Sequence, residues 1–222
     1  AMPPLVDPGA LIGRLSEEVS EIVGASLDVI AVGSHDTASA VVAIPLSTPR
    51  AAYISCGTWG LVGLELDAPI VTDEARAANF TNEAGVDGRV RFLQNVTGLW
   101  LLSETVRAWQ KRDGTALDLP ALLAEAAALP APTRLFDAND PTLATPGDMP
   151  ARIAALLEAP EPTMEDRPAF ARTIVESIAE AFARALRAAA NLAGRDIDVV
   201  HIVGGGALND LLCQRTADRA GI

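Results

Sequence analysis

Five apolar side chains spaced four residues apart, Phe170, Ile174, Ile178, Phe182 and Leu186, constrain this chain more than any other feature. Residues i and i+4 share one helix face. The spacing therefore predicts a long helix over residues 167–193 with a continuous core stripe, and Gly194 supplies its stop. Such a stripe needs a sheet or other helices to cover it. The residues that follow provide the means: Asp198-Val199-Val200-His201-Ile202-Val203 reads as a strand, Gly204-Gly205-Gly206 as a turn, and a last helix opens at Asn209. Strands alternating with helices place the chain in the α/β class.

Upstream, residues 26–33 form an apolar run ending in glycine, which reads as a buried strand. Residues 34–43 look like a helix with Ser34 or Asp36 as its cap. Between Pro45 and Pro49 the composition shifts, which suggests a domain boundary. Residues 51–55 and 61–66 flank Gly57-Thr58 as the two arms of a hairpin. A short strand at residues 89–93 precedes a helix over residues 95–110, in which Leu99, Leu102, Val106 and Trp109 share a face. Residues 113–150 are rich in proline and small polar residues around one short Ala/Leu helix, and read as an ordered but irregular excursion. Residues 1–16 read as a connecting segment, and there is no internal repeat.

Composition narrows the function. The formal net charge is −12 and Lys111 is the only lysine. A nucleic-acid partner demands a basic face, so that class is excluded. No apolar run approaches the length of a membrane span. Cys56 and Cys213 lie far apart without metal-site spacing, so they read as free thiols suited to a reducing cytoplasm. Ala1-Met2-Pro3-Pro4 has no features of a secretory signal. The last residues, Ala220-Gly221-Ile222, follow a helix and its glycine stop, where an α/β protein would begin another strand; this reads as a fragment.

Three glycine-containing turns follow strands, and each could hold a polar ligand. In Gly33-Ser34-His35-Asp36-Thr37, a carboxylate at a helix N-terminus faces the positive end of the helix dipole and is favoured as an anion. Such a carboxylate can accept a proton from a substrate hydroxyl, or it can be an N-cap and nothing more. In Ser55-Cys56-Gly57-Thr58-Trp59-Gly60, glycine lets backbone N–H groups approach a phosphate and Thr58 adds a hydroxyl, although a tight hairpin explains the same glycine. In Val203-Gly204-Gly205-Gly206-Ala207-Leu208-Asn209, a strand, three glycines and a helix start suit a nucleotide. The pattern is neither the G-x-G-x-x-G fingerprint nor a P-loop. Close strand–helix packing explains one of these glycines well and three poorly.

Taken together, in this order and spacing, the three turns resemble the FGGY family of carbohydrate kinases, and more closely its rhamnulokinases. Asn79-Phe80-Thr81-Asn82-Glu83, Asn95-Val96-Thr97-Gly98-Leu99-Trp100 and Pro146-Gly147-Asp148-Met149-Pro150 carry the resemblance further, and His35-Asp36-Thr37-Ala38-Ser39-Ala40 is its most rhamnulokinase-like part. The resemblance implies an actin-like (ribonuclease H-like) fold: a mixed sheet with flanking helices, here incomplete. Residues 1–48 would be the tail of the first domain and residues 49–222 most of the second. It implies transfer of the γ-phosphoryl group of ATP to O1 of L-rhamnulose, with magnesium, by a cytoplasmic monomer or homodimer. Asp36 would be the proton acceptor; His35, Asp36, Thr37 and Asn95 would contact the sugar. Gly57, Thr58, Gly98, Ser103, Gly204, Gly205, Gly206 and Asn209 would lie along the nucleotide. Ser103 stands where the family usually has glutamine, and a shorter hydroxyl reaches less far. No metal ligand is assigned in this chain, because the aspartate expected near magnesium belongs to the first domain. The fragment alone is expected to be inactive. A kinase for L-fuculose or a related ketose, or a non-catalytic actin-like nucleotide-binding module, would share much of this pattern; the residues around Asp36 argue against xylulokinase and glycerol kinase.

Overall fold

The computed structural model of the chain describes residues 3–222, so Ala1 and Met2 of the N-terminal reading lie outside the described residues. Its centre is a five-stranded mixed sheet. Strand β3 (Ala51–Cys56) and strand β4 (Trp59–Leu66) form the antiparallel hairpin expected around Gly57-Thr58. Strand β6 (Val90–Thr97) pairs with β4, and β5 (Thr81–Ala84) pairs with the outer side of β6, both antiparallel. Strand β7 (Val199–Val203) lies parallel to β3, giving the order β5-β6-β4-β3-β7. A second, two-stranded sheet joins β1 (Leu11–Arg14) to β2 (Asp28–Ile30) around helix α1 (Glu17–Val23).

The two faces of the large sheet bury different partners because side chains alternate along a strand. Ala52, Ile54, Val62, Leu64, Phe92 and Val96 belong to the main core. The same core takes in helix α7 (Arg167–Ala193), whose Phe170, Ile174, Ile178, Phe182 and Leu186 are all buried. Burying each such side chain contributes roughly 1.5–3 kcal/mol. Gly194 ends α7 in the left-handed conformation and donates its N–H back to Ala190 O and Asn191 O. On the opposite face Tyr53 and Leu93 pack with Val41 and Ile44 in a smaller cluster. That cluster seats helix α2 (Asp36–Val42) on the sheet.

Around this frame lie α3 (Asp73–Ala77), α4 (Trp100–Asp113), α5 (Leu119–Ala128), α6 (Met149–Leu156) and α8 (Asp210–Ala220). Several boundaries differ from the sequence reading. Residues 95–97, expected in a helix, extend β6, because Asn95, Val96 and Thr97 pair with Leu61, Gly60 and Trp59. Residues 11–14, expected to be a connection, form β1. The strand at residues 26–33 is shorter than expected and largely exposed rather than buried. Helix α2 is capped by neither Ser34 nor Asp36: His35 holds the N-cap position without a side-chain bond, and Asp36 is the first helical residue.

Candidate functional site

The row Ser55–Leu61–Asn95 runs across β3, β4 and β6, and its three residues line one open cavity of about 800 Å³. Helix α2 brings His35, Asp36, Thr37 and Ala40 to the same cavity, the β3–β4 turn adds Gly57, Thr58 and Trp59, and β5 adds Glu83. The packing of Val41 and Ile44 against Tyr53 and Leu93 places the start of α2 there. Thus the structure gathers six of the expected site residues from three separate stretches of sequence: His35, Asp36 and Thr37; Gly57 and Thr58; and Asn95.

Asp36 presents its carboxylate to the open space, with its side chain 95% exposed. One oxygen, Oδ1, accepts from the backbone N–H of Thr37 at 2.6 Å and lies 3.3 Å from Thr37 Oγ1. These contacts hold the carboxylate in one orientation and leave Oδ2 for another donor. Thr37 itself is buried, so it acts on the cavity chiefly through Asp36. The His35 ring stands between two carboxylates, with Nε2 3.5 Å from Asp36 Oδ1 and Nδ1 3.7 Å from Glu83 Oε2.

The hairpin turn is fastened from behind. The N–H groups of Gly98 and Trp100 donate to Thr58 O at 3.1 Å each, and that of Leu99 donates to Gly57 O at 3.0 Å. Orphan donors at the start of α4 are therefore spent on the turn's carbonyls. A Cβ at Gly98 would come within 2.8 Å of the Trp59 backbone and 2.9 Å of Gly57 O. Gly98, expected along the nucleotide, lines neither this cavity nor the next, and its role visible here is to let the turn sit on the helix.

Beyond that junction lies a second cavity of about 510 Å³, with an apolar wall from α4 and α5 and with Ser103, Gly205 and Asn209 on its border. The three glycines of the β7 turn have separate explanations. Gly204 has a positive φ of 83°, and a Cβ there would stand 2.7 Å from Cys56 O. A Cβ on Gly206 would overlap the Cys56 side chain. Close packing thus accounts for two glycines rather than one. Gly205 has nothing within 4 Å of its would-be Cβ and opens to the cavity. Asn209 uses Oδ1 to cap α8 by accepting from Leu212 N at 3.1 Å.

Glu83, Ser55, Trp59, Leu61 and Ala40 also line the first cavity; sequence reasoning gave none of them a role, although Glu83, Ser55, Trp59 and Ala40 lie in the motif segments named above. The signal for Glu83 was the cross-strand pair it makes with Arg91, visible only once residues 81–84 are recognised as a strand. Among the described residues, no group of three or more His, Cys, Asp or Glu side chains is placed to hold a metal ion. Magnesium is therefore given no donor set and no step in this chain. No helix among the described residues is long and apolar enough to cross a membrane.

A mixed α/β domain with a polar cavity between helix α2 and one face of its sheet, and an apolar cavity beside a glycine turn, is the class of structure these elements define. Residues 52–222 match the family described as the FGGY family of carbohydrate kinases, C-terminal domain. The chain belongs to that family, whose C-terminal domains have the actin-like ATPase fold. Among solved structures it resembles a xyloylose kinase from Brucella ovis (TM-score 0.67, 20% identity, covering 100% of this chain and 44% of that one). It also resembles a xylulose kinase from Rhodospirillum rubrum (TM-score 0.66, 18% identity, 98% and 43%). A gluconate kinase from Lactobacillus acidophilus is similar to the same degree (TM-score 0.66, 19% identity, 99% and 44%). At these identities the likeness is one of fold. The chain spans less than half the length of each of these proteins.

Proposed function

We infer that this chain supplies the acceptor-side wall and part of the nucleotide wall of an ATP-dependent sugar kinase. The inferred reaction transfers the γ-phosphoryl group to O1 of L-rhamnulose and releases ADP. The observation that carries the reading is the convergence of Asp36, His35, Asn95 and Thr58 on one cavity from three separate elements. A carboxylate, an imidazole and an amide are the groups that bind sugar hydroxyls, and the hydroxyl and backbone of a Gly-Thr turn suit a phosphate. Residues 1–48 would then be the tail of a first domain and residues 49–222 most of the second, with the rest of the ATP site, including any magnesium ligands, on the remainder of the enzyme.

Phosphoryl transfer needs positioning, charge neutralisation and a base near the acceptor, and no covalent nucleophile. In the step assigned here, the O1 hydroxyl of the ketose gives its proton to the Asp36 carboxylate as its oxygen bonds to the γ-phosphorus. The bond between that phosphorus and the oxygen bridging to ADP breaks, and ADP leaves with the electron pair. Thr37 holds the carboxylate in line through Oδ1. His35 and Asn95 orient the sugar. Thr58, at the tip of the fastened hairpin, meets the phosphates, and the apolar cavity beside Gly205 receives the nucleoside.

The test uses the full-length enzyme. Asp36→Asn should keep sugar affinity and lower kcat by about 10²–10⁴-fold, the range for a positioned general base. Near-normal turnover in that variant would remove Asp36 from the role. ADP release measured over a panel of ketoses should be greatest with L-rhamnulose. Preference for L-fuculose or xylulose would reassign the sugar, and ATP turnover independent of any sugar would point to a nucleotide-binding module instead.

A further inference from the structure

We propose that Glu83 is a positioning residue that fixes the tautomer and orientation of His35. The proposal rests on the reading of the first cavity as a sugar site, and its test separates the two. Glu83 sits on β5 directly opposite Arg91 of β6. Its Oε2 forms an ion pair with Arg91, 3.0 Å from Nη2, and Arg91 is only 2% exposed. The buried guanidinium is itself anchored, donating through Nε and Nη2 to Ala84 O at 3.3 and 3.2 Å. Glu83 is therefore a fixed carboxylate, held from below by a cation in the sheet, with its free side reaching the cavity. The group it meets there is His35, whose Nδ1 lies 3.7 Å from the same Oε2.

A carboxylate accepts and never donates while ionised, and the ring stands between two of them: Nδ1 faces Glu83 Oε2 and Nε2 faces Asp36 Oδ1. A neutral ring can satisfy only one of the two: Glu83 is held in place by Arg91, whereas Asp36 Oδ1 already accepts from Thr37 N–H at 2.6 Å and its side chain is 95% exposed to screening water. The proposed neutral ring is therefore the Nδ1–H tautomer, with Nε2 on the cavity side, where a sugar hydroxyl can come between it and Asp36. An imidazole held in this way can accept a hydrogen bond from a sugar hydroxyl. The carboxyl–histidine arrangement is the one that orients imidazoles at other sites, where the outer carboxylate sets which nitrogen works. Both gaps around the ring, 3.5 and 3.7 Å, are longer than a closed hydrogen bond. Contacts of this kind tighten when substrate fills the site. Glu83 thus acts on the sugar through His35, with Arg91 holding Glu83.

His35 and His201 are the two histidines of the chain, so ¹⁵N chemical shifts can read the tautomer of each ring without any turnover. The wild-type chain, held above the His titration range, should show His35 protonated on Nδ1. Glu83→Ala should shift His35 towards protonation on Nε2 and leave His201 as an internal reference. Glu83→Gln, whose amide oxygen can still accept from both Nδ1 and Arg91, should retain the wild-type pattern. It also serves where the alanine variant, with Arg91 uncompensated, fails to fold. An Nε2–H ring in the wild-type chain, or an unchanged His35 pattern in a folded Glu83→Ala, would overturn the proposal. In the full-length enzyme, Glu83→Ala should lower kcat/KM for the sugar on the order of tenfold. It should do so less than twofold in a His35→Ala background, because the effect travels through that ring. Equal losses in the two backgrounds would mean that Glu83 touches the sugar itself, and would also overturn it. The tautomer pattern without sugar-dependent turnover would leave Glu83 as the orienting group and remove the kinase reading; turnover without the pattern would do the reverse.

Discussion

Cys56 shows how a single side chain can be fixed by its neighbours. It ends β3 just before the Gly57-Thr58 turn, is buried, and lies against the backbone of Gly204 and Gly206. Burial pushes its thiol up to about 12, with the nearby Cys213 thiol adding to the shift. The thiolate is the reactive form, so at pH 8 only about one Cys56 in 10⁴ is ionised, by the usual ten-fold per pH unit. We expect a chromogenic disulfide reagent at pH 8 to leave Cys56 unmodified in the folded chain and to titrate both cysteines after denaturation. The sign of the pH effect follows. The unfolded thiol ionises near pH 8.5, so the contribution of the neutral buried thiol is fully present below that pH and is lost as pH rises towards 12. Cys56→Ala should therefore show a shallower alkaline decline in denaturant midpoint than the wild-type chain. An equal decline in both would mean that another group carries it.

At the scale of elements, the junction of hairpin and helix ties fold to site. Turn 57–58 and the start of α4 share three hydrogen bonds across Gly98. Gly98→Ala would force backbone apart where 2.8–3.0 Å is available, at a cost of about 1–3 kcal/mol for overpacking. The denaturant midpoint should fall accordingly. In the full-length enzyme KM for ATP should rise, since Thr58 moves with the turn; an unchanged KM beside a lowered midpoint would detach Thr58 from the nucleotide. Elements with a local signature were readable from sequence. Helix α7 announces itself through a stripe at i+4, and the hairpin through Gly57-Thr58 between apolar runs. The continuation of β6 through Asn95–Thr97 is not readable in the sequence, because the helical period of Leu99, Leu102, Val106 and Trp109 does not mark where the helix begins and only pairing with Trp59–Leu61 holds those residues extended. The short strand β5 was hidden for a similar reason, and Glu83 with it. Asp36, Thr58 and Asn95, the candidate residues that meet at the first cavity, lie inside recognisable segments. Gly98 and Asn209 also lay in such segments, yet each meets a backbone demand that sequence cannot distinguish from ligand binding.

At the scale of the whole molecule, one buried carboxylate links three helices behind the sheet. Glu176 of α7 is 2% exposed and accepts from Arg172 Nε at 3.0 Å and from Arg219 of α8 at 2.8 and 2.6 Å. Arg172 also donates to Ala126 O and Ala127 O of α5 at 3.2 and 3.1 Å. Because α8 follows the β7 turn, this cluster holds the elements that border the apolar cavity, although none of its members faces the first one. A buried ion cluster is costly to break one member at a time, since the partners left behind stay desolvated and uncompensated. Glu176→Ala should lower unfolding free energy by about 3–5 kcal/mol. Replacing the pair together, as Arg172→Met with Glu176→Leu, removes both buried charges and should cost less than Glu176→Ala alone, although Arg219 loses a partner at a more exposed position. Chemical denaturation of the wild-type chain, Glu176→Ala, the single variants Arg172→Met and Glu176→Leu, and the double variant supplies both this comparison and the double-mutant cycle. Additive losses would show that Glu176 and Arg172 stabilise the molecule separately. A double variant more stable than Glu176→Ala would show that the cluster's contribution is mutual neutralisation, with the apolar packing of α7 on the sheet supplying most of the stability.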